Sequence, residues 1–555
     1  LMLRSHHDKP DVGGRILNLF LGWFFKLFNK TFEAGTNLYA GAVGRLVRVS
    51  AIVMLVYAGL LFLTGFGFTR VPAGFVPEQD KGYLIVNAQL PDGAALARTE
   101  KVARELIGIV AGTEGVKHTL TWVGFSMISS VNQANVVSVI AVLEEMGHRR
   151  DSRVIAAEMQ ERLRAIPEAA ISVFGPPPVD GLGSAGGLKV MVQDRGSLGF
   201  GGLQGLTGEM MREGMQSGNY QVMFSSFRAN VPQIYVDIDR EQAQKQNVPL
   251  TEIFTALQTY LGSYYANDFN FLGRTFQVNV QADAPFRLRK EDIGRLQVRN
   301  ASGQMVPLSA LIRVSEVPRP ERVIRYNMFP SADVNIVPNP GTSSGTTIKD
   351  IEALAAKTMP AAQTGLSWTD IAFQQIIAGN TMVYIFPFCI LLVFLFLAAQ
   401  YESWSLPAAI VMILPMCILC AIAGVAAAKL DINIFVQIGF VVLAGLAAKN
   451  AILIVEFARD LQNQGKDRIT ATVEAARLRL RPILMTSFAF ILGCLPLVMG
   501  RGAGWEMRFS LGIAVVAGMV GVTVFGVFLT PVFYSVIRKL FPPKAAQAAP
   551  APAAH

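Results

Sequence analysis

A lysine interrupts a long apolar stretch of the sequence. Residues Ile434 to Ala458 could cross a bilayer as a helix, and Lys449 and Asn450 lie in their interior. An ammonium group in hydrocarbon costs several kcal/mol unless it is paired or hydrated. Lys449 precedes Arg459 by ten residues, which is roughly 15 Å along a helix. Snorkelling to the interface would need no partner, but a lysine side chain does not comfortably span that distance. The position therefore favours an interior ion pair or a water path.

Two further polar residues lie near this lysine in the expected bundle. Thr486 belongs to the next apolar span, and Arg479 comes just before that span. The threonine could bond back to its own helix or hold a water, and the arginine could be a simple cytoplasmic anchor. Glu456 is the nearest acid and lies at the expected cytoplasmic edge. The counter-ion must then come from residues outside this sequence. We predict that Lys449, Asn450, Thr486 and Arg479 form part of a proton-coupled switch.

The composition indicates a membrane protein. The 555 residues are 52% hydrophobic and 16% charged, with a mean hydropathy of +0.40, which is too apolar for an ordinary soluble chain. The net charge of +9 comes from basic residues beside the apolar spans, where topology explains them, so nucleic-acid binding is rejected. The four cysteines lie inside spans and the five histidines are scattered. We therefore expect no metal site and no cofactor.

Six apolar stretches are predicted to cross the membrane. The basic residues cluster in the connection 459–481 and at the C-terminal end, so both ends and that connection should be cytoplasmic. The polar segment from Pro72 to Gly379 should then lie outside the cytoplasm. The predicted spans are Ser50 to Thr69, Thr381 to Gln400, Leu406 to Ala428, Ile434 to Ala458, Pro482 to Met499 and Phe509 to Val536.

The two ends of the chain lie beside the spans. Residues 1–49 are predicted to be cytoplasmic or interfacial, with an amphipathic helix from Gly14 to Lys30 lying in the membrane interface. At the other end, residues 537–555 are expected to form a disordered cytoplasmic tail, which is rich in Ala and Pro from Ala545 onwards. The apolar stripe of the helix comprises Ile16, Phe20, Trp23, Phe24 and Leu27.

The polar segment alternates strand and helix patterns, which predicts compact α+β modules with split βαβ topology. Strands are expected at Tyr83 to Leu90, Val136 to Leu143, Ala170 to Phe174, Leu188 to Val192, Tyr220 to Phe224, Gln233 to Ile238, Arg322 to Met328 and Val334 to Val337. Helices are expected at Ala95 to Ala111, Ser152 to Ala165, Leu203 to Met215, Leu250 to Leu261 and Thr346 to Thr358. A β-rich insert, with the alternating stretch Arg274 to Gln281, follows the helix at Leu250.

A loop from Trp122 to Asn135 is predicted between two strands. It carries Phe125 and Met127 among Gly, Ser and Asn. A flexible loop that exposes an aromatic ring and a methionine suits loose recognition of apolar molecules. The alternative, that Phe125 belongs to an ordinary core, is equally compatible with the sequence.

Three motifs resemble the resistance-nodulation-division (RND) multidrug efflux pumps of the hydrophobe/amphiphile branch. The resemblance covers nearly the whole chain and corresponds to the C-terminal half of the family's protein. The motifs are the stretches from Gly445 to Ala458 (GLAAKNAILIVEFA), from Arg477 to Ser487 (RLRLRPILMTS) and from Tyr401 to Ser405 (YESWS).

The resemblance implies a membrane α-helical bundle of six transmembrane helices with a large α+β periplasmic segment. That segment would contain two ferredoxin-like βαβ porter subdomains, at 77–175 and at 176–229 with 319–370, and a β-rich docking insert at 230–318; the spans would be 50–69 and five helices within 381–536. The implied protein is a homotrimeric proton/drug antiporter of the bacterial inner membrane. Its partners would be a periplasmic adaptor and an outer-membrane channel.

The resemblance also implies roles for individual residues. Lys449 and Thr486 match the relay lysine and threonine, and Arg479 matches the arginine of the cytoplasmic proton path. The paired aspartates that carry the proton belong to the half of the family's protein that this sequence lacks. Matches to the drug pockets are Phe125 and Met127 in the switch loop, Phe174 in an entrance pocket, and Leu120, Ile140 and Ile85 at pocket positions.

The function expected on this basis is proton-coupled export of amphiphilic and hydrophobic compounds by a secondary transporter rather than an enzyme. Two alternatives remain. Export of metal ions by the same architecture would need clustered methionines or carboxylates along the outer path, and Met127 alone is weak support. A membrane-anchored assembly or solute-binding subunit would need one or two spans and no buried lysine.

Overall fold

The computed structural model describes residues 12–379 and 381–542 of the chain. The first two helices are α1, Val12–Arg48, and α2, Ser50–Arg70. Helix α1 is much longer than the predicted interfacial helix. Of the predicted stripe, Trp23 and Leu27 are exposed, and the side chains of Ile16, Phe20 and Phe24 lie outside the described part.

The first sheet of the polar segment has four strands in the order β2-β3-β1-β4. Leu84, Val86 and Val139 point to one face of the sheet, where they share a hydrophobic core with residues of α3 and α4. The opposite face is left for other contacts, since successive side chains of a strand alternate between faces. The elements are β1 Tyr83–Gln89, α3 Leu96–Ala111, β2 Val116–Ser126, β3 Val131–Leu143, α4 Ser152–Leu163 and β4 Ala170–Phe174.

The next elements begin a second sheet and then leave it for an insert. Strand β5 (Leu188–Asp194), helix α5 (Gly199–Gln216) and strand β6 (Tyr220–Phe224) belong to the sheet. The insert has its own small hydrophobic core, which includes Ile253 and Leu308. Its elements are β7 Val231–Ile238, α6 Arg240–Lys245, α7 Leu250–Leu257 with a π-helical turn Gln258–Gly262, β8 Tyr264–Phe271, β9 Arg274–Val280, α8 Lys290–Arg295, β10 Gln297–Arg299, β11 Met305–Pro307 and β12 Ile312–Arg319.

The chain then returns to complete the second sheet. Strands β13 (Ile324–Tyr326), β14 (Phe329–Pro338) and β15 (Thr364–Thr369) give the order β13-β14-β5-β15, and β6 pairs with β14. Helix α9 (Ser344–Thr358) shares the core of this sheet with α5. The two sheets therefore have separate cores, with the insert as a third module.

The remaining helices form the membrane bundle, except for a short helix at 370–378 that packs on the second sheet through Ile371 and Ala372. Six helical stretches of the described chain are long and apolar enough to cross a membrane, as the sequence predicted. Helices α12 and α13 together form one of these stretches, Ser405–Ala427. The helices are α10 Asp370–Ala378, α11 Thr381–Tyr401, α12 Ser405–Val411, α13 Leu414–Ala427, α14 Ile434–Asn463, α15 Arg468–Met499 and α16 Trp505–Leu540.

Close helix approach holds the bundle together around α16. A Cβ built on Gly518 would overlap Leu443 of α14, and one built on Gly521 would overlap Cys420 of α13. Small residues are the usual means by which membrane helices pack closely, because lipid supplies little hydrophobic driving force between helices. Helix α16 therefore occupies the centre of the bundle.

Three predictions about local structure are corrected. The connection 459–481 is mostly helix, because α14 continues to Asn463 and α15 begins at Arg468. The predicted disordered tail begins too early, since α16 reaches Leu540; residues 543–555 lie outside the described part. The loop 122–135 is mostly a β-hairpin of β2 and β3. Strand pairing satisfies its polar backbone, and Gly124 at φ +81° allows the irregularity in the ladder.

Candidate functional site

Lys449 lies in the middle of α14 on a face that the described chain leaves uncovered. Its side chain is exposed. One, two and three turns earlier on the same face, Gly445 has no atom within 4 Å of a built Cβ, and Val442 and Ile438 are 42% and 45% exposed. These residues recur at intervals of three and four, which defines one helical stripe. The stripe faces away from the helices of this chain.

The lysine has no acidic partner in the described part of the chain. No ion pair or hydrogen bond of Lys449 occurs there. Glu456, the nearest acid in sequence, lies about two turns further along α14 and is half-buried. An ammonium without an anion in an apolar span is costly. The charge therefore needs a partner from residues outside those described.

The opposite side of this region joins α14 to α15 by a buried polar contact. Asn450 is 6% exposed, and its Nδ2 atom donates a hydrogen bond of 3.3 Å to Ser487 Oγ, which is also buried. A buried amide without a partner would cost about 1–3 kcal/mol. Asn450 thus fixes the two helices against each other, while its neighbour Lys449 points elsewhere.

Thr486 and Arg479 are not joined to Lys449 in this structure. Thr486 is exposed, and its hydroxyl donates to the backbone oxygen of Ile483 at 3.0 Å, the local bond that threonine commonly makes in a helix. The guanidinium of Arg479 lies 3.7 Å from the ring centroid of Phe457. Its Nε atom is buried without a hydrogen-bond partner in the described chain. Of the four predicted relay residues, Lys449 and Thr486 share an exposed setting, whereas Asn450 is packed.

Four of the six predicted substrate residues form one row across the first sheet. Leu120 is paired with Ile140, Ile140 with Ile85, and Ile85 with Phe174. Directly opposed residues project to the same face, so the row lies on the face away from α3 and α4. Its exposure falls along the row, from 53% at Leu120 to 2% at Phe174. The row is a graded apolar surface rather than a single pocket.

The buried end of the row meets the second sheet. The ring of Phe174 stacks on that of Phe224, with centroids 5.5 Å apart and planes at 19°. Ile85, Ile128 and Val337 belong to the same small cluster. Phe224 was not among the predicted substrate residues, although its strand was predicted. The contact joins strands from two different sheets, so no local pattern could reveal it.

The other two predicted substrate residues lie at the tip of the β2–β3 hairpin. Phe125 is paired with Asn132, and Met127 follows where the strand has ended. Both side chains are half-buried. Ser138 fixes the tip, because its hydroxyl accepts from Met127 N at 3.1 Å and donates to Phe125 O at 3.0 Å. The tip is therefore better ordered than a flexible loop.

Comparisons with known proteins identify the family of the chain. Residues 1–538 match the AcrB/AcrD/AcrF family over nearly the whole chain. The chain belongs to this family. The resemblance drawn from the motifs to RND pumps is thereby confirmed, and the six apolar helices are those of a multi-pass membrane protein.

Several curated relatives are similar over most of this chain. The multidrug export protein AcrF of Escherichia coli K12 is 36% identical over 529 residues, and the match covers 94% of this chain and 51% of AcrF. The toluene efflux pump membrane transporter TtgB of Pseudomonas putida is 33% identical over 523 residues, covering 94% and 50%. The multidrug resistance protein MdtF of Escherichia coli K12 is 36% identical over 529 residues, covering 93% and 50%. The chain spans about half the length of these relatives.

Proposed function

We propose that the chain is the C-terminal half of a proton-coupled RND efflux transporter for amphiphilic and hydrophobic compounds. The observation that carries this proposal is the exposed Lys449 in the middle of α14, on a stripe that the described chain does not cover. A preceding half that packs on this stripe and supplies acidic side chains would give the lysine its counter-charge. The family relatives are named as export and efflux transporters, which supports the same activity.

The coupling would work through the charge on Lys449. Protonation of the opposing acids would release the ammonium, and the helices would then settle into a second packed arrangement. Asn450 would keep α14 and α15 together during this change, since its amide is bonded to Ser487. Thr486, on the exposed side of α15, would exchange its local bond for a water in the proton path. Arg479 would hold the cytoplasmic end of that path.

The polar segment would lie in the periplasm and carry the substrate path. The order of elements in 83–174, βαββαβ, together with the strand order β2-β3-β1-β4, supports a ferredoxin-like porter subdomain at 77–175. The second sheet would form the porter subdomain of 176–229 and 319–370, and the insert 230–318 would be the docking subdomain. Substrate would contact the row from Leu120 to Phe174 and the hairpin tip at Phe125 and Met127.

Partners follow from the same proposal. The full-length protein would be a homotrimer of the bacterial inner membrane that works with a periplasmic adaptor and an outer-membrane channel. The hairpin of β8 and β9 supports a docking role for the insert, because both strands are exposed along their whole length and carry the stacked rings of Phe269 and Phe276.

The proposal is tested by replacing the lysine in the full-length protein. Lys449→Ala should abolish export of a fluorescent amphiphile from cells while the amount of membrane-inserted protein stays normal. Lys539→Ala is the matched control, because Lys539 is an exposed lysine at the cytoplasmic end of α16. Unchanged export by Lys449→Ala, at the level of the control, would refute the relay role.

A further inference from the structure

A cavity of about 600 Å³ lies where the polar segment meets the membrane bundle. We call it the junction cavity. Its walls come from the linker 71–82 between α2 and β1, the turn between α13 and α14, the start of α9 and the first turn of α16. None of the ten residues assigned above to proton relay or substrate binding lines it. It is therefore separate from both proposed sites.

Backbone hydrogen bonds hold two segments of the wall of the junction cavity together. Ile432 N donates to Pro72 O at 2.9 Å, and Ile434 N donates to Phe75 O at 2.9 Å, so the linker and the turn run together as a short ladder. Gly74 is required at this approach, because a Cβ there would overlap the carboxylate of Asp431. The cavity is thus bounded by segments that are hydrogen-bonded to each other.

Acidic groups in the cavity wall are incompletely satisfied. Glu506 Oε1 accepts from Asp80 N at 3.1 Å, but its Oε2 atom is buried without a hydrogen-bond partner in the described chain. Glu78 makes no hydrogen bond or ion pair with a described residue. Glu78 is exposed at the edge of the cavity; the protein atoms around its carboxyl raise its pKa, although the nearby charge of Arg153 opposes this shift. Two carboxylates of one cavity therefore lack a full complement of positive partners.

The basic residues around the cavity are held by other groups or lie in solvent. Arg153 donates two hydrogen bonds to Asp151, at 3.0 and 2.8 Å. The guanidinium of Arg70 lies 4.9 Å from the ring centroid of Phe66, and the Lys429 side chain is exposed. Arg153 acts on Glu78 and Glu506 through its charge, but in the described chain neither carboxylate has an ion pair or hydrogen bond with any of these three cations.

An aromatic surface lies beside the carboxylates. Trp505 and Phe509 flank Glu506 on the first turn of α16 and pack edge to face, with centroids 5.2 Å apart. Aromatic faces attract cations, and their area is apolar. A ligand that combines positive charge with an apolar body would satisfy both the unpaired carboxylate oxygen and the rings.

We propose that the junction cavity binds an amphiphilic organic cation, with its charged centre at Glu506 and Glu78 and its apolar body against Trp505 and Phe509. A dissolved lipophilic cation and the amine headgroup of a membrane lipid share this chemistry. The site goes beyond the proposed export function, because it is lined by neither relay nor substrate residues. It would place a ligand against the linker that joins α2 to the first sheet.

The test uses the fluorescence of Trp505 in the full-length protein, reconstituted in phosphatidylglycerol vesicles. The emission of Trp505, which lines the junction cavity, is obtained as the difference in emission between the wild type and Trp505→Phe. The probe is tetraphenylphosphonium, and tetraphenylborate is the anion of matched size. The cation should quench the difference signal saturably and the anion should not. Equal quenching by both ions would overturn the proposal.

Carboxylate variants provide the second readout. Glu78→Gln and Glu506→Gln, alone and together, should raise the half-saturating concentration of tetraphenylphosphonium, at least tenfold in the double variant. Asp180→Asn is the matched control, because this carboxylate is 87% exposed and lies outside the cavity; it should leave binding unchanged. If Glu506→Gln does not yield folded protein, the half-saturating concentration of tetraphenylphosphonium for Glu78→Gln alone tests the proposal. Wild-type affinity in the folded carboxylate variants would overturn the proposal.

Two comparisons separate this site from export and identify the source of the ligand. Lys449→Ala should bind the cation with wild-type affinity even where export is lost, and loss of cavity binding in this variant would contradict a separate site. In vesicles that contain phosphatidylethanolamine, weaker quenching would show that the lipid amine competes and is the resident ligand. Unchanged quenching there would assign the site to dissolved cations.

Discussion

A buried ion pair ties the linker 71–82 to the first sheet module. Asp80 accepts hydrogen bonds from Arg149 at 2.7 and 2.8 Å, from Gly82 N at 3.0 Å and from Ser152 N at 3.2 Å. The side chains of Arg149 and Asp80 are 1% and 8% exposed. The carboxylate is therefore removed from water, and its oxygens are fully engaged.

Arg149→Met replaces the guanidinium with an uncharged side chain of similar length and leaves the carboxylate of Asp80 buried without its positive partner. Breaking one partner of a buried pair costs about 3–5 kcal/mol. At 1.4 kcal/mol per tenfold, local opening should become roughly 150- to 4,000-fold more frequent. The neighbouring pair of Lys81 and Asp180 is the matched control, since Asp180 is 87% exposed. Loss of that pair by Asp180→Asn should cost about 0–1 kcal/mol.

Hydrogen–deuterium exchange of the full-length protein in lipid nanodiscs measures this opening. In Arg149→Met, peptides that cover the linker 71–82 and the first turn of α4 should exchange faster by the factor given above. In the control variant Asp180→Asn, the exchange rate of the same peptides should stay within about fivefold of the wild-type rate. Asp80→Asn combined with Arg149→Met should recover part of the loss, because the second change removes the unpaired charge. Exchange in Arg149→Met that matches the control would refute the reasoning.

Three further predictions concern the same modules. Burial alone would raise the pKa of Asp80, but hydrogen bonds from Arg149 and Gly82 outweigh it and lower that pKa. The stability that the ionised Asp80 contributes should be present above the unfolded pKa of about 4 and be lost as pH falls through the folded pKa. Hydrogen–deuterium exchange of the linker should therefore be faster at acidic pH. Phe174→Ala should lose about 3–5 kcal/mol from a core site and lower the midpoint of thermal unfolding, whereas a normal midpoint would contradict the packing shown here. Gly187→Ala should also unfold at lower temperature, because φ is +98° and a Cβ would overlap a backbone oxygen of β14; wild-type stability would contradict that geometry.

The membrane spans were predictable because the bilayer sets a minimum apolar length. The ends of the helices were not, because α14 and α15 continue beyond the apolar stretch into charged sequence. Hydropathy reports where lipid ends, whereas the helix ends where its backbone hydrogen bonds end. Local ion pairing between Lys466 and Glu474 accompanies the short turn between these helices.

The strands of the polar segment were predictable where apolar residues alternate or run together. Strand β8 was missed because Asn267 and Asp268 interrupt the apolar alternation that the equally exposed β9 keeps, and burial imposes no pattern on either strand. The hairpin of β2 and β3 was taken for a loop because Gln133 and Asn135 are polar. In the structure both are buried and bonded, Gln133 to Glu321 and Asn135 to Leu90 O.

The residues of the candidate site were predictable from their types, but their positions in the fold were not. Lys449 could be singled out from the sequence because an ammonium group inside an apolar span is costly unless it has a partner. Its exposed position on α14 could not be read from the sequence, because which face packs on α16 depends on the close contacts of small residues such as Gly518. The row from Leu120 to Phe174 depends on the register of four strands, and register arises from pairing distant segments.

Proton flux in reconstituted vesicles shows whether Lys449 couples export to protons. The full-length protein would be placed in proteoliposomes with an internal pH indicator, and an amphiphilic substrate would be added under an imposed pH gradient. We expect substrate-dependent proton movement in the wild type and in Lys539→Ala, and none in Lys449→Ala, although the latter still binds substrate. Substrate-dependent proton movement of normal size in Lys449→Ala would contradict this coupling role of Lys449.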